Sequence, residues 1–214
     1  MFRCSVMKRN GLLAVAILTV FVVLIASAIY YFMQPEESTK PSWLMSGAYV
    51  TYAQAFTWNE HSETQFMTWE LTGVKGDYAD LHLLSHGVSV SGGNVTVVPG
   101  ESEWRIDTVT REIVNSSDAN YVGKKCPFWI QTDVKVGSLV ETFYGVTTIS
   151  RSERVEVLGE QRDCWILEYN WPTSSMKRWY DKSSGICIKI QVIMHQQDLT
   201  IVTTETAALT NIGL

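Results

Sequence analysis

The chain has 214 residues, 17 basic and 22 acidic, for a formal net charge of −5. Arg3, Lys8 and Arg9 are the only charges before residue 34, so the remainder carries 14 basic against 22 acidic residues, a net of −8. That sign excludes a nucleic-acid binder, which needs a basic surface, and it opposes broad contact with anionic lipid head groups.

Residues 1–10 form a short basic tag. Gly11 to Met33 reads GLLAVAILTVFVVLIASAIYYFM and holds no charge. As a helix it would reach ~34 Å, enough to cross a hydrocarbon core of ~30 Å. Basic residues precede it and Glu36 and Glu37 come after it, so the positive-inside rule places the amino terminus in the cytoplasm and the rest outside. The same stretch also reads as a signal peptide cut after Ala28. Continuation through Ile29, Tyr30, Tyr31 and Phe32 favours a retained signal-anchor, with tyrosines in the interfacial belt. Both readings export the carboxy-terminal domain. A pilin-like leader lacks the usual basic–Gly pair.

Residues 34–46, with Pro35 and Pro41, read as a stiff solvated spacer. From Ala48 the pattern has period two. Val50, Tyr52, Phe56 and Trp58 share one strand face, and Met67, Trp69 and Leu71 share another. Residues 59–62 and 73–76 read as turns. Tyr78 to Val90 is extended and Gly92-Gly93 closes it. Residues 95–98, 104–106 and 112–114 are short strand candidates. Phe128 to Ile130 is a short apolar run, and Val140 to Ile149 suits a pleated sheet. Trp165, Leu167, Tyr169 and Trp171 alternate within 164–171. Residues 176–181 and 186–194 complete a three-strand meander, and 199–204 make a last strand. The pattern predicts a mainly β domain over 47–214, an antiparallel meander of roughly nine or ten strands. Alternation alone leaves a curved half-barrel and a two-sheet sandwich open.

Two turns are alike: Asp107 with Thr108 and Thr110, and Asp181 with Ser183 and Ser184. Asp and Ser/Thr side chains bond nearby backbone N–H groups and favour turns. The meander behind an export segment, with Trp179-Tyr180-Asp181 and Gly185-Ile186 in a late hairpin, resembles extracytoplasmic proteins of the LolA/LppX type. The resemblance implies a curved half-barrel around an apolar cavity that carries lipids or lipoproteins. That family plugs its barrel with helices, and no helical stripe is legible here. No functional residue transfers.

The site chemistry is sparse. His82 and His86 have the spacing of a helical zinc pair, but on a strand they stand ~13 Å apart. Asp77 and Asp80 read as solvated. No nucleophile motif, phosphate loop or cofactor motif is present, so the expectation is no catalytic, metal or cofactor site and no enzyme. Asn94-Val95-Thr96 and Asn115-Ser116-Ser117 are N-glycosylation sequons. Cys4 lies on the reducing side, while Cys126, Cys164 and Cys187 are exported. Cys164 paired with Cys187 would close a loop of about 22 residues, worth ~3 kcal/mol. The expected function is a membrane-anchored, non-enzymatic surface module, structural or interacting with a surface protein. The alternative is a binder or carrier of an apolar ligand, lipid or lipoprotein-like, in a concave sheet with aromatic lining.

Overall fold

The computed structural model describes residues 40–58, 61–91, 94–195 and 202–213. The predicted membrane run 11–33, the tag before it and the start of the spacer lie outside the described residues. Among the described residues no helix is long and apolar enough to cross a membrane.

Period-two alternation becomes eleven antiparallel strands: β1 Tyr49–Trp58, β2 His61–Lys75, β3 Tyr78–Ser91, β4 Asn94–Asp107, β5 Ile113–Ser116, β6 Leu139–Thr142, β7 Gly145–Val157, β8 Glu160–Trp171, β9 Ser174–Asp181, β10 Cys187–His195 and β11 Val202–Gly213. Their order is β5-β4-β3-β2-β1-β11-β10-β9-β8-β7-β6. Two meanders therefore meet where β11 returns to pair with β1. The segment 117–138 carries the chain from one edge of the sheet to the other. It holds one short 3-10 turn, Ala119–Tyr121.

The sheet is strongly curled. β4 and β6 lie nine places apart in the strand order, about 40 Å on a flat sheet. Yet Trp104 of β4 and Phe143, just after β6, stack with ring centroids 6.4 Å apart. The domain is thus mainly β and antiparallel throughout, with the β6–β7 hairpin brought over the face that Trp104 lines. Val50, Tyr52, Met67, Trp69, Leu71, Leu81, Trp104 and Ile106 fill the inner face, as their alternation predicts.

Some boundaries differ from the sequence reading. β4 is continuous through Pro99-Gly100. Ser117 N–H donates to the Glu103 carbonyl at 3.0 Å, and Glu103 N–H donates to Ser117 Oγ. Glu103 thus points away from β3, and so does every second residue of the unbroken β3–β4 register, Pro99 included. At an outward edge position the missing proline N–H costs no ladder bond, and it blunts the edge against strand addition. Residues 140–149 are a hairpin, not one strand, because the chain turns at Phe143-Tyr144 and Gly145 takes φ +105°. Gly73 lies within β2 at a register shift, so the chain turns only at Gly76-Asp77. The run Phe128–Ile130 forms no strand. Trp43 and Leu44 are buried, so the end of the predicted spacer belongs to the domain.

The Cys164–Cys187 disulfide is corrected. Cys126, Cys164 and Cys187 are free, buried thiols. Cys164 opposes Asp181 and Cys187 opposes Tyr180, adjacent residues of the intervening β9. The two cysteines are therefore separated by a whole strand and point to opposite faces, beyond disulfide reach.

Candidate functional site

The inner face is an aromatic surface covered by the chain's own strap. Ring contacts run from Trp43 to Trp129 (5.6 Å), Trp129 to Trp69 (6.2 Å), Trp69 to Phe128 (6.0 Å), and Phe128 to Trp104 (5.7 Å). They continue from Trp104 through Phe143, Tyr144 and Tyr169 to Trp171. Residues 126–130 of the strap supply Phe128, Trp129 and Ile130, which are 3%, 1% and 0% exposed. Aromatic supply therefore went mainly into core.

The strap is held at its ends by the two Asp turns. Asp107 accepts the N–H groups of Val109 and Thr110 at 2.9 and 2.8 Å. Asp181 accepts the hydroxyls of Ser183 and Ser184, both at 2.8 Å. Each turn then offers a carbonyl to the strap: Arg111 accepts Cys126 N–H at 2.7 Å, and Gly185 accepts Ile130 N–H at 2.9 Å. A Cβ on Gly185, whose φ is +75°, would run into the Ile130 carbonyl, so only glycine seats the strap this closely.

Between the ends, two guanidinium groups and a phenol grip strap carbonyls. Arg111 donates to Cys126 at 3.3 Å and to Trp129 at 2.9 Å, with a third bond to Glu141 O at 2.7 Å. Arg178 of β9 donates to Pro127 O at 3.0 Å and to the Tyr144 hydroxyl at 3.0 Å. Tyr180 donates to Pro127 O at 2.9 Å. Arg111 and Arg178 are 5% and 4% exposed. Among the described residues neither meets a carboxylate; Asp181, the buried acid, is taken by Arg162 at 3.3 Å. Burial pulls the Arg111 guanidinium down from its ordinary value, yet arginine stays charged at neutral pH. Isolated buried charges are costly, and carbonyl dipoles compensate less fully than a counter-ion. Arg111 also adopts φ +61°, uncommon for a residue with a Cβ. Its Nε and the indole N–H groups of Trp104 and Trp129 are buried without an acceptor.

The residues singled out from sequence lie elsewhere. Asp77 pairs with Lys40 at 2.6 Å, Asp80 with Arg105, and His82 with Glu101 at 2.8 Å. No cluster of metal-ligating side chains occurs among the described residues. Asn94 opens β4 and is exposed; Asn115 is exposed on edge strand β5. Asn115, Asp80, His82, Glu103 and Arg105 line an open polar hollow of about 570 Å³. Sequence reasoning missed Arg178, although Met176, Arg178 and Tyr180 alternate on one buried face. Nothing local marks Arg111.

No protein-family profile and no curated protein matches this chain. Among solved structures it is similar to the hypothetical lipoprotein YmcC from Escherichia coli K12, at 10% identity and TM-score 0.31, over 78% of this chain and 89% of that one. It is also similar to a domain assigned to an outer membrane lipoprotein-sorting protein from Vibrio parahaemolyticus, at 11% identity and TM-score 0.29, over 83% and 88%. The second description, a lipoprotein-sorting domain, is of the kind that the sequence pattern resembles.

Proposed function

We propose that this domain is a non-enzymatic extracytoplasmic binder or carrier of an apolar ligand, which takes the place of the strap on the aromatic inner face. In this reading run 11–33 keeps the domain at the outer side of the cell membrane. The supporting observation is how the strap is held. Its segment 126–130 is not a strand of the sheet: one isolated bridge, Trp129 against Ile186, ties it down through Cys187 N–H to Phe128 O and Ile130 N–H to Gly185 O. The carbonyls of Cys126, Pro127 and Trp129 are instead held by side-chain donors, above aromatic rings. Withdrawal of Phe128, Trp129 and Ile130 would vacate a few hundred Å³, about the size of a small-ligand site.

A second reading, a structural or protein-interaction module, is favoured by the tight filling of the same face in the closed state. Full-length protein purified from its own host separates the two. A co-purifying apolar molecule seen by native mass spectrometry, displaceable by a long-chain methyl ester, supports the carrier. A ligand-free mass with no ester binding leaves the interaction module.

A further inference from the structure

We propose that the ligand is an anionic amphiphile, whose carboxylate or phosphate is held by Arg111 and Arg178 once the strap carbonyls leave them. The inference rests on the carrier reading and adds the headgroup chemistry to it.

The argument is one of charge. Six arginines lie among the described residues. Arg105, Arg151, Arg154 and Arg162 each meet a carboxylate within 3.5 Å. Arg111 and Arg178 are the most buried, and they meet none. A strap could be tied down with neutral donors, as Tyr180 already ties Pro127. Two obligate cations are not needed for that task. They are suited to an anion that arrives in place of the strap, because guanidinium forks match carboxylate and phosphate oxygens.

The spacing is also suitable. The carbonyls they hold, Cys126, Pro127 and Trp129, fall within four consecutive residues, so both forks reach one short stretch of the inner face. Trp69 and Trp104, the inner-face rings that Phe128 of that stretch covers, would receive an acyl tail. Arg111 Nε, buried without an acceptor, remains as a further donor.

The test uses the full chain in detergent with a fluorescent polyene fatty acid and its methyl ester, which share a tail and differ in charge. The acid is expected to bind about tenfold or more tighter than the ester, as a desolvated charge pair allows. Arg178→Gln and Arg111→Gln are expected to erase that preference while ester binding persists, and Arg178→Lys to restore part of it. Thermal melts check that the variants fold, and the acid–ester comparison on the native chain stands without them. Equal binding of acid and ester overturns the headgroup assignment and leaves the carrier reading intact. A preference that survives both substitutions also overturns it, by placing the anion elsewhere. Binding of neither probe removes the carrier reading itself. A phospholipid competing as well as the fatty acid identifies phosphate as the second acceptable headgroup.

Discussion

The two faces of the sheet treat charge in opposite ways. On the outer face Arg105 forks onto Asp80 at 2.8 and 3.1 Å, with side chains 54% and 48% exposed. Arg151 meets Glu168 at 2.8 Å on the same face, also partly exposed. There a counter-ion is present although water already screens the charge, and the pair contributes little. On the inner face, where a bare charge is costly, Arg111 and Arg178 meet carbonyls, a hydroxyl, two sulfurs and the Tyr144 ring, but no carboxylate among the described residues. A structure that pairs cations where pairing matters least, and leaves them unpaired where it matters most, is better explained by a second state of the inner face than by stability of the first.

Breaking the inner face should have the largest effect. Trp129→Ala removes a 1%-exposed indole wedged against Trp43 and Trp69. Core truncations of this size cost about 3–5 kcal/mol, against a total of about 5–15 kcal/mol for a domain. A denaturant titration should show the midpoint falling steeply. A loss under about 1 kcal/mol would mean that the strap is not part of the core.

Alkali should come next, and its action should also fall on the inner face. Burial pushes the Cys126 thiol up to about 12 and raises Tyr52 and Tyr180 well above the ordinary phenol value. On the opposite face Cys164 is likewise pushed up to about 12, by burial and then by Asp181 and Asp163, and adds to the same effect. A raised acid holds its proton in the folded state after the unfolded chain has lost it. Stability is therefore complete below the unfolded thiol value of about 8.5 and declines as pH rises past about 10, where unfolded tyrosines ionise. After the exposed tyrosines have ionised, a second rise in tyrosinate absorbance, from the buried phenols, should appear together with the loss of β circular dichroism. A second rise well before unfolding would show that these phenols reach water.

The sequence made one of these two faces readable. Val50, Tyr52, Met67, Trp69 and Leu71 announced the inner face because a strand has period two and water removes apolar groups from one side only. Local pattern failed where distant groups decide. Pro99 looked like a break, yet an outward edge position needs no N–H. Phe128 to Ile130 was legible only as a short apolar run, because its partners are distant in the chain: the Phe128 carbonyl accepts Cys187 N–H, the Trp129 carbonyl accepts Arg111, and the preceding Pro127 carbonyl accepts Arg178 and Tyr180. Arg178 could have been found as a cation in phase with Met176 and Tyr180. Arg111 could not, because its burial comes from the curl that brings β6 and Glu141 to it.

The outer face supplies the next smaller effect. A double-mutant cycle on Arg105→Met and Asp80→Asn should give a coupling of about 0.2–1 kcal/mol that shrinks with added salt. A salt-insensitive coupling of several kcal/mol would place this pair in a shielded environment and dissolve the contrast between the faces.

The smallest expected effect is none at all. Reducing agent should leave the melting temperature unchanged, because Cys126, Cys164 and Cys187 are free thiols. A bridge from Cys164 to Cys187 would need both side chains on one side of β9, and the register through Asp181 and Tyr180 puts them on opposite sides. Burial also raises all three thiols, so little thiolate forms near neutral pH to drive oxidation. Thiol counting under denaturing, non-reducing conditions should find all three free. A single free thiol among these three, with peptide mapping to Cys164–Cys187, would require β8 or β10 to shift by one residue. That shift would turn Leu167 and Tyr169, or Ile190 and Val192, out of the inner face, so the same experiment also tests the register on which the whole inner surface depends.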